Sequence, residues 1–357
     1  MLAAAALMFA SCAQFDTVNE VPESEPQAIG FDTYAQLPTR TTENNGGEYT
    51  GDLQDIHVTF SVWASKLVNA TYTDVYTDQT VSWTGTPKAW TPDTTAYWDK
   101  TASYYYFYAA APAEFNWVYV ESTANDGSTG YLTLENHELN GTTSDEGKTE
   151  DKDLLIAADC DVAQTKYNKA TPDTVGLQFI HILSKLNINV KKSSTAPTIQ
   201  LNGITVSNLM AKATFDESKA SNITAGSYAR WKNDGSTKKE YSSKSVTLST
   251  DASELVLEGF VIPQNAAYAD DINTNGSNLD ANPYIKINYT IGTENFVVYY
   301  NLADVFNGDT TTDIPFNEGW QNTLTITISP DDIQFSGAVS TWSEGAGSGY
   351  GSGIDID

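Results

Sequence analysis

Apolar and polar side chains alternate over short stretches along most of the chain, which is the pattern of half-buried β-strands. The most regular stretch is LQFIHILSKLNINV at 177–190. There Leu177, Phe179 and His181 share one face, and a bulge is expected near Ser184 before the alternation resumes. The pattern predicts one long strand in this part of the chain.

Similar runs recur between turn residues, and they favour a protein built almost entirely of strands. The only helix candidates are short, such as LADVF at 302–306. Because no amphipathic helix separates the runs, the spacing predicts an all-β fold of β-sandwiches rather than alternating strands and helices. The further strands are expected at 56–64, 104–110, 131–135, 153–159, 201–209, 213–216, 245–249, 255–263, 284–291, 296–302 and 322–329.

An earlier stretch, AIGFDTYAQLPTR at 28–40, predicts a strand that ends at Pro38. Its alternation is that of a strand with one buried face. An ordinary first strand followed by a solvated arginine is the simplest interpretation. The residues expected on the buried face are Ile29, Phe31, Thr33, Ala35 and Leu37.

Arg40 gives this strand a second interpretation. No other lysine or arginine precedes Lys66, and Arg230 is the only other arginine in the chain. An arginine-specific protease that meets an unfolded N-terminus would therefore have one place to cut. The cut would detach the strand and open a groove that a strand from a neighbouring copy could fill.

Length and composition suggest two domains of an extracellular type. The 357 residues supply enough material for two cores, and QTKYNKATPDTVG at 164–176 lacks periodicity and is the candidate linker. The content of aromatic and small polar residues is high, as in all-β secreted proteins. A net charge of −27 argues against nucleic acid or an anionic membrane surface as a partner.

The first twelve residues have the pattern of an export signal. Residues 1–12, MLAAAALMFASC, form a short apolar run that ends in a lipobox-like Phe9, Ala10, Ser11 before Cys12. A positive region normally precedes such a run, so translation is expected to begin a few codons upstream. We expect Cys12 to be lipidated and residues 13–27 to form a flexible tether. The chain would then touch the membrane only through this lipid, and Cys160 would be a small buried apolar residue without a disulfide partner.

No catalytic constellation is evident, so the sequence does not favour an enzyme, and no cofactor is expected. The histidines His57, His137 and His181 lack metal-ligand spacing, and His181 is expected to be a core histidine hydrogen-bonded to backbone. One loop resembles the start of a calcium site but has Asn282 where the closing carboxylate would stand, so a solvated loop is favoured. Its candidate ligands are Asp271, Asn273 and Asn275.

The aromatic run YYYFYAA at 104–110 is open to two interpretations. A core strand is favoured, and a surface platform on which sugars stack is the alternative. In the alternative the protein would be a monomeric outer-membrane lipoprotein that binds glycans through exposed aromatic side chains.

Several segments together resemble the fimbrillin family of Bacteroidales lipoproteins, the building blocks of type V pili. They include the lipobox at Cys12, IGFDTYAQLPTR, FSVWA, YYFYAAAP, DLLIAA, LQFIHILSKLNINV, VIPQ and LTITISPDDIQFSGAVSTWSEG. The resemblance implies two tandem transthyretin-like β-sandwich domains, at 28–170 and 171–342. It also implies export to the outer membrane and assembly into a fimbria on the cell surface.

The resemblance further implies how such a subunit assembles. A surface protease would cut after Arg40, the strand from Ile29 to Leu37 would leave, and the C-terminus of an adjacent subunit would fill its groove. The donor would be the Gly/Ser-rich tail at 343–357, with Tyr350, Ile354 and Ile356 as its apolar residues. The implied partners are other pilus subunits, an arginine-specific surface protease, and ligands on host or bacterial surfaces.

Overall fold

The structure is a computed structural model that confirms the all-β prediction. It describes residues 25–35, 53–121, 130–141, 143–163, 167–168, 172–219, 230–266, 279, 283–307, 314–330 and 332–341. One short α-helix, α1 (Leu302–Asn307), lies at the position that LADVF indicates. No helix within these ranges combines the length and the apolar character needed to cross a membrane.

The strands of the described ranges form one closed barrel, three open sheets and a two-stranded ribbon. In chain order they are β1 (Phe31–Ala35), β2 (Thr59–Val68), β3 (Thr71–Gly85), β4 (Lys88–Pro92), β5 (Tyr104–Ala111), β6 (Trp117–Glu121), β7 (Gly130–Glu138), β8 (Leu155–Ala163), β9 (Val175–His181), β10 (Ser184–Lys192), β11 (Ile199–Met210), β12 (Lys212–Asp216), β13 (Trp231–Asn233), β14 (Lys238–Ser242), β15 (Val246–Leu248), β16 (Glu254–Val261), β17 (Gln264–Ala266), β18 (Tyr284–Ile291), β19 (Glu294–Asn301), β20 (Ile314–Phe316), β21 (Trp320–Ile328) and β22 (Ile333–Thr341).

The N-terminal barrel has the strand order β1-β4-β3-β2-β5-β8-β9 and closes through β1. Its interior is filled by aromatic and aliphatic side chains, because alternate residues of every strand point inward. The run at 104–110 illustrates this alternation. Tyr105 and Phe107 lie in the barrel core, whereas Tyr104 is 44% exposed. The core-strand interpretation of this run therefore describes most of its side chains.

The stretch at 177–190 is two strands rather than the single bulged strand that its regularity suggests. β9 belongs to the barrel and pairs with β8 and β1, whereas β10 belongs to another sheet, where it pairs with β16 and β21. Ile182 and Leu183 lie between them, and both are fully buried in a third cluster outside the barrel. Two consecutive buried residues break the period of two, so the chain leaves one sheet and enters the next at this point.

The C-terminal half is a sandwich of two sheets. One has the order β16-β10-β21-β22, and the other has the order β14-β11-β18-β19 with β15 also paired to β11. Inward-facing residues of both sheets, such as Ile188, Leu324 and Ile287, form one apolar core that α1 joins through Leu302 and Phe306. This core has no member in common with the barrel core.

A third sheet, β13-β12-β7-β6, combines strands from both halves of the chain. β7 lies within 121–152, where the polar composition predicts a surface loop with only a short strand at 131–135. It is instead a nine-residue strand paired on both sides, with β6 and β12. The sheet packs Trp117, Leu134 and Trp231 against the outside of the barrel at Trp63 and Tyr108. The division into two domains at residue 170 stays a prediction, although β9 extends the barrel to His181.

Candidate functional site

The N-terminal segment, residues 25–35, buries three of the side chains that the sequence predicts to face the core. Ile29 and Phe31 belong to the barrel core, and Thr33 is also buried. Ala35 ends β1. The other predicted site residues lie outside the described ranges, so their roles stay predictions; they are Cys12, Leu37, Arg40, Asp271, Asn273, Asn275, Tyr350, Ile354 and Ile356.

Backbone hydrogen bonds hold this segment along both of its edges. On one edge β1 runs parallel to β9, from Phe31 opposite Val175 to Ala35 opposite Phe179, and the Val175 amide donates to the Gly30 carbonyl at 2.8 Å. The other edge is antiparallel and more broken. There the Ile29 amide donates to the carbonyl of Ala96, and β1 meets β4 only at Phe31 opposite Trp90. The segment therefore fills a groove between two neighbours instead of extending a sheet edge.

Side-chain packing is concentrated on Phe31. Its ring centroid lies 5.9 Å from that of Phe60, 5.9 Å from that of Tyr76 and 6.1 Å from that of Phe107. The contacts to Phe60 and Phe107 are edge-to-face, the arrangement that the ring quadrupoles favour. Beside it, the Thr33 hydroxyl is buried without a hydrogen-bond partner among the described residues. Phe31 is therefore the main anchor of the strand.

Comparison with known proteins places this fold in a family. A family model described as fimbrillin-like matches residues 39–342, which is most of the chain. The chain belongs to the fimbrillin-like family. No curated protein matches the chain in sequence.

Two solved structures resemble the fimbrillin-like chain at low identity. A fimbrial protein from Bacteroides vulgatus is 17% identical with a TM-score of 0.53, and the match covers 89% of this chain and 100% of that one. A candidate cell adhesion protein from Bacteroides uniformis is 18% identical with a TM-score of 0.48, over 88% of this chain and 99% of that one. The first of these likenesses shows a shared fold.

The fimbrillin-like chain brings two of its histidines to one buried residue, Asp153, which the separate sequence segments do not predict. Asp153 accepts a hydrogen bond at its Oδ2 from His181 Nδ1 at 2.5 Å, and its carbonyl accepts one from His57 Nε2 at 2.7 Å. His181 is thus a core histidine, as expected, and its Nδ1 bonds the side chain of Asp153. Burial lowers the pKa of His57, although its hydrogen bond to the Asp153 carbonyl acts in the opposite direction. No group of three metal-ligating side chains is found within the described ranges.

Arg230, the other arginine, is held by the fold. Its Nε donates to the Lys219 carbonyl at 3.2 Å, its Nη1 lies 3.4 Å from Glu318 Oε2, and its own carbonyl accepts from the Asp216 amide. Burial raises the pKa of Glu318 to about 7, although the nearby guanidinium lowers it. A protease binds its substrate in an extended form, so these contacts protect the bond after Arg230.

Sequence reasoning missed the two edges of the groove. The strand pattern at 177–190 predicts a strand but not that β9 would lie parallel to the N-terminal segment. The antiparallel edge, around Ala96 to Trp98, lies at the end of a stretch whose pattern predicts short strands joined by turns, but not their pairing with the N-terminal segment.

His137 gives a prediction for acid stability. It is buried, its Nε2 has no hydrogen-bond partner among the described residues, and its ring packs edge-on against Phe115. Burial lowers its pKa to about 4. The unfolded chain therefore takes up this proton first as the pH falls from about 6.5, and stability is lost from there down to about pH 4.

We expect His137→Phe to remove this loss. The difference in free energy of unfolding between pH 7 and pH 4.5 should be smaller than in the unchanged chain by on the order of 2 kcal/mol. Urea denaturation of both chains at the two pH values measures it. Equal pH dependence of the two chains would show that His137 titrates normally in the folded state.

Proposed function

We propose that this chain is a structural subunit of a cell-surface fimbria and that it assembles by protease-triggered strand exchange. The observation that supports this most is the groove, in which one N-terminal segment supplies both a ladder of backbone hydrogen bonds and a buried aromatic anchor. Both can be supplied equally well by a strand of another molecule. Membership of the fimbrillin-like family supports a fimbrial role rather than an enzymatic one.

Assembly begins with removal of the segment. An arginine-specific surface protease hydrolyses the peptide bond after Arg40, so that residues 1–40 are no longer covalently attached to the rest of the chain. The released strand is then held only by noncovalent contacts. When it leaves, the apolar surface of Phe60, Tyr76 and Phe107 is exposed to water. Burying each apolar side chain contributes about 1.5–3 kcal/mol, which favours refilling of the groove.

The refilling strand comes from an adjacent subunit. Residues 343–357 serve as the donor, with Tyr350, Ile354 and Ile356 as its buried side chains. Before cleavage, a lipid on Cys12 holds the subunit at the outer membrane. The other partners are further pilus subunits and ligands on host or bacterial surfaces.

Protease treatment of the purified chain tests the mechanism. The chain carries Cys12→Ser so that it cannot be lipidated, and it is treated with an arginine-specific protease. We expect a single cut, which Arg40→Gln abolishes and Arg230→Gln leaves unchanged, because Arg230 is held by its hydrogen bonds. Oligomers that survive mild detergent should follow the cut.

The tail provides the control for strand exchange. Deleting residues 343–357 should leave cleavage intact and abolish the oligomers. A cut chain that stays monomeric with residues 1–40 still bound would contradict strand exchange. Saturable polysaccharide binding by that monomer would instead support the glycan-binding alternative.

A further inference from the structure

A pocket of about 320 Å³ lies outside the barrel, on the side where the third sheet approaches it. Its walls come from β2, β3, β5 and β6, which belong to two different sheets. Four aromatic side chains line it: Trp63, Tyr72, Tyr108 and Tyr119. This size is at the lower end of the range of small-molecule sites, so it suits a compact group and not a polymer.

The fold shapes this pocket through specific contacts. The rings of Tyr108 and Tyr119 lie 4.9 Å apart, and the Tyr108 hydroxyl accepts a hydrogen bond from the Gly130 amide at 3.1 Å. A Cβ on residue 130 would stand 2.2 Å from the Tyr119 ring, so only glycine leaves room for that ring. The wall formed by Tyr108 and Tyr119 is therefore held in place before any ligand arrives.

The charge of the pocket has one sign. Among the described residues, Asp74 and Glu121 are the charged ones that line it, and no lysine, arginine or histidine does. Lys66, on the neighbouring strand, is paired with Asp99 at 2.8 Å. Neither Asp74 nor Glu121 forms a salt bridge within the described ranges. An anion would meet two carboxylates with nothing to balance its charge.

We propose that this pocket binds an organic cation, whose charged head is an ammonium or guanidinium group. Aromatic faces carry negative quadrupole potential and attract such a head, and the two carboxylates add Coulomb attraction. A neutral sugar could stack on the rings but would gain nothing from the two charges. A free amine and a lysine or arginine side chain of another protein present the same head group, so both are sources of the cation that the site would take.

Calorimetric titration of the uncut chain with three probes tests the site. Agmatine represents the free amine, the peptide acetyl-Gly-Arg-Gly-amide represents a protein side chain, and glucose represents a neutral sugar. We expect agmatine or the peptide, or both, to bind at one site per chain, with affinity that falls as salt is added. The tighter of the two identifies the source of the cation. Because the chain is uncut, the result does not depend on strand exchange.

Matched variants keep the test specific. Asp74→Asn with Glu121→Gln should weaken cation binding at least tenfold, and both residues are exposed, so the variant should fold. Asp78→Asn removes one carboxylate from the same strand outside the pocket and should leave binding unchanged. Thermal unfolding confirms that both variants are folded. The proposal is overturned if neither cation binds, if glucose binds as tightly, or if the double variant binds like the unchanged chain.

Discussion

Replacing Phe31 with alanine is expected to lower the free energy of unfolding by about 3–5 kcal/mol, the usual cost of removing a buried phenylalanine side chain. The ring is 4% exposed and contacts three other rings of the barrel core. A β-strand of five residues cannot close around the cavity left behind without breaking its hydrogen bonds to β9. Urea denaturation of the uncut chain measures the loss.

Two controls relate this loss to the groove. Asp32→Ala changes an exposed side chain of the same strand, whose carboxylate accepts a hydrogen bond from Thr174, and should cost less than about 1 kcal/mol. Hydrogen exchange at the Val175 amide, which donates to Gly30, should become faster with Phe31→Ala. Equal stability of the Phe31→Ala and Asp32→Ala chains would show that the strand is not anchored by its aromatic side chain.

Gly147→Ala is expected to destabilise the chain by about 3 kcal/mol or more. Residue 147 has a φ of +78°, and a Cβ there would lie 2.0 Å from the Val256 carbonyl oxygen. The left-handed conformation costs an alanine about 1–2 kcal/mol, and overpacking against backbone adds about 1–3 kcal/mol. The turn cannot move freely, because the Glu258 amide donates to the Gly147 carbonyl and ties this loop to β16.

Gly235→Ala is the matched control for this prediction. Its φ is +73°, but no atom lies within 4 Å of the added Cβ. It should therefore show only the conformational cost of about 1–2 kcal/mol. Thermal and urea unfolding of both variants separate the two contributions. Equal losses at the two positions would mean that the loop around Gly147 shifts away from β16 without cost.

The strands could be predicted because their signal is local. The alternation from Ile29 to Thr33 predicts that Ile29, Phe31 and Thr33 share a buried face, and all three side chains are buried. The same local signal failed at Ile182 and Leu183, where two buried residues in succession mark a change of sheet and not a bulge. Period alone does not say which sheet a strand joins.

The sites depend on distant pairings, so the sequence did not predict them. His57, Asp153 and His181 meet only because β8 and β9 pair near the segment that precedes β2. The aromatic pocket has a partial local signal, since Tyr72 and Asp74 alternate along β3. The opposite wall comes from β6, and no local pattern links β6 to β3.

The parallel pairing of β1 with β9 also fixes the order in which the barrel is completed. The strand that is synthesised first finds its longest hydrogen-bonded partner only at Val175 to Phe179. Contacts between such distant residues form slowly, because a large loop must close before they are gained. Until β9 has emerged, the N-terminal segment has only its shorter antiparallel edge to pair with, so barrel closure is a late event in the maturation of the chain.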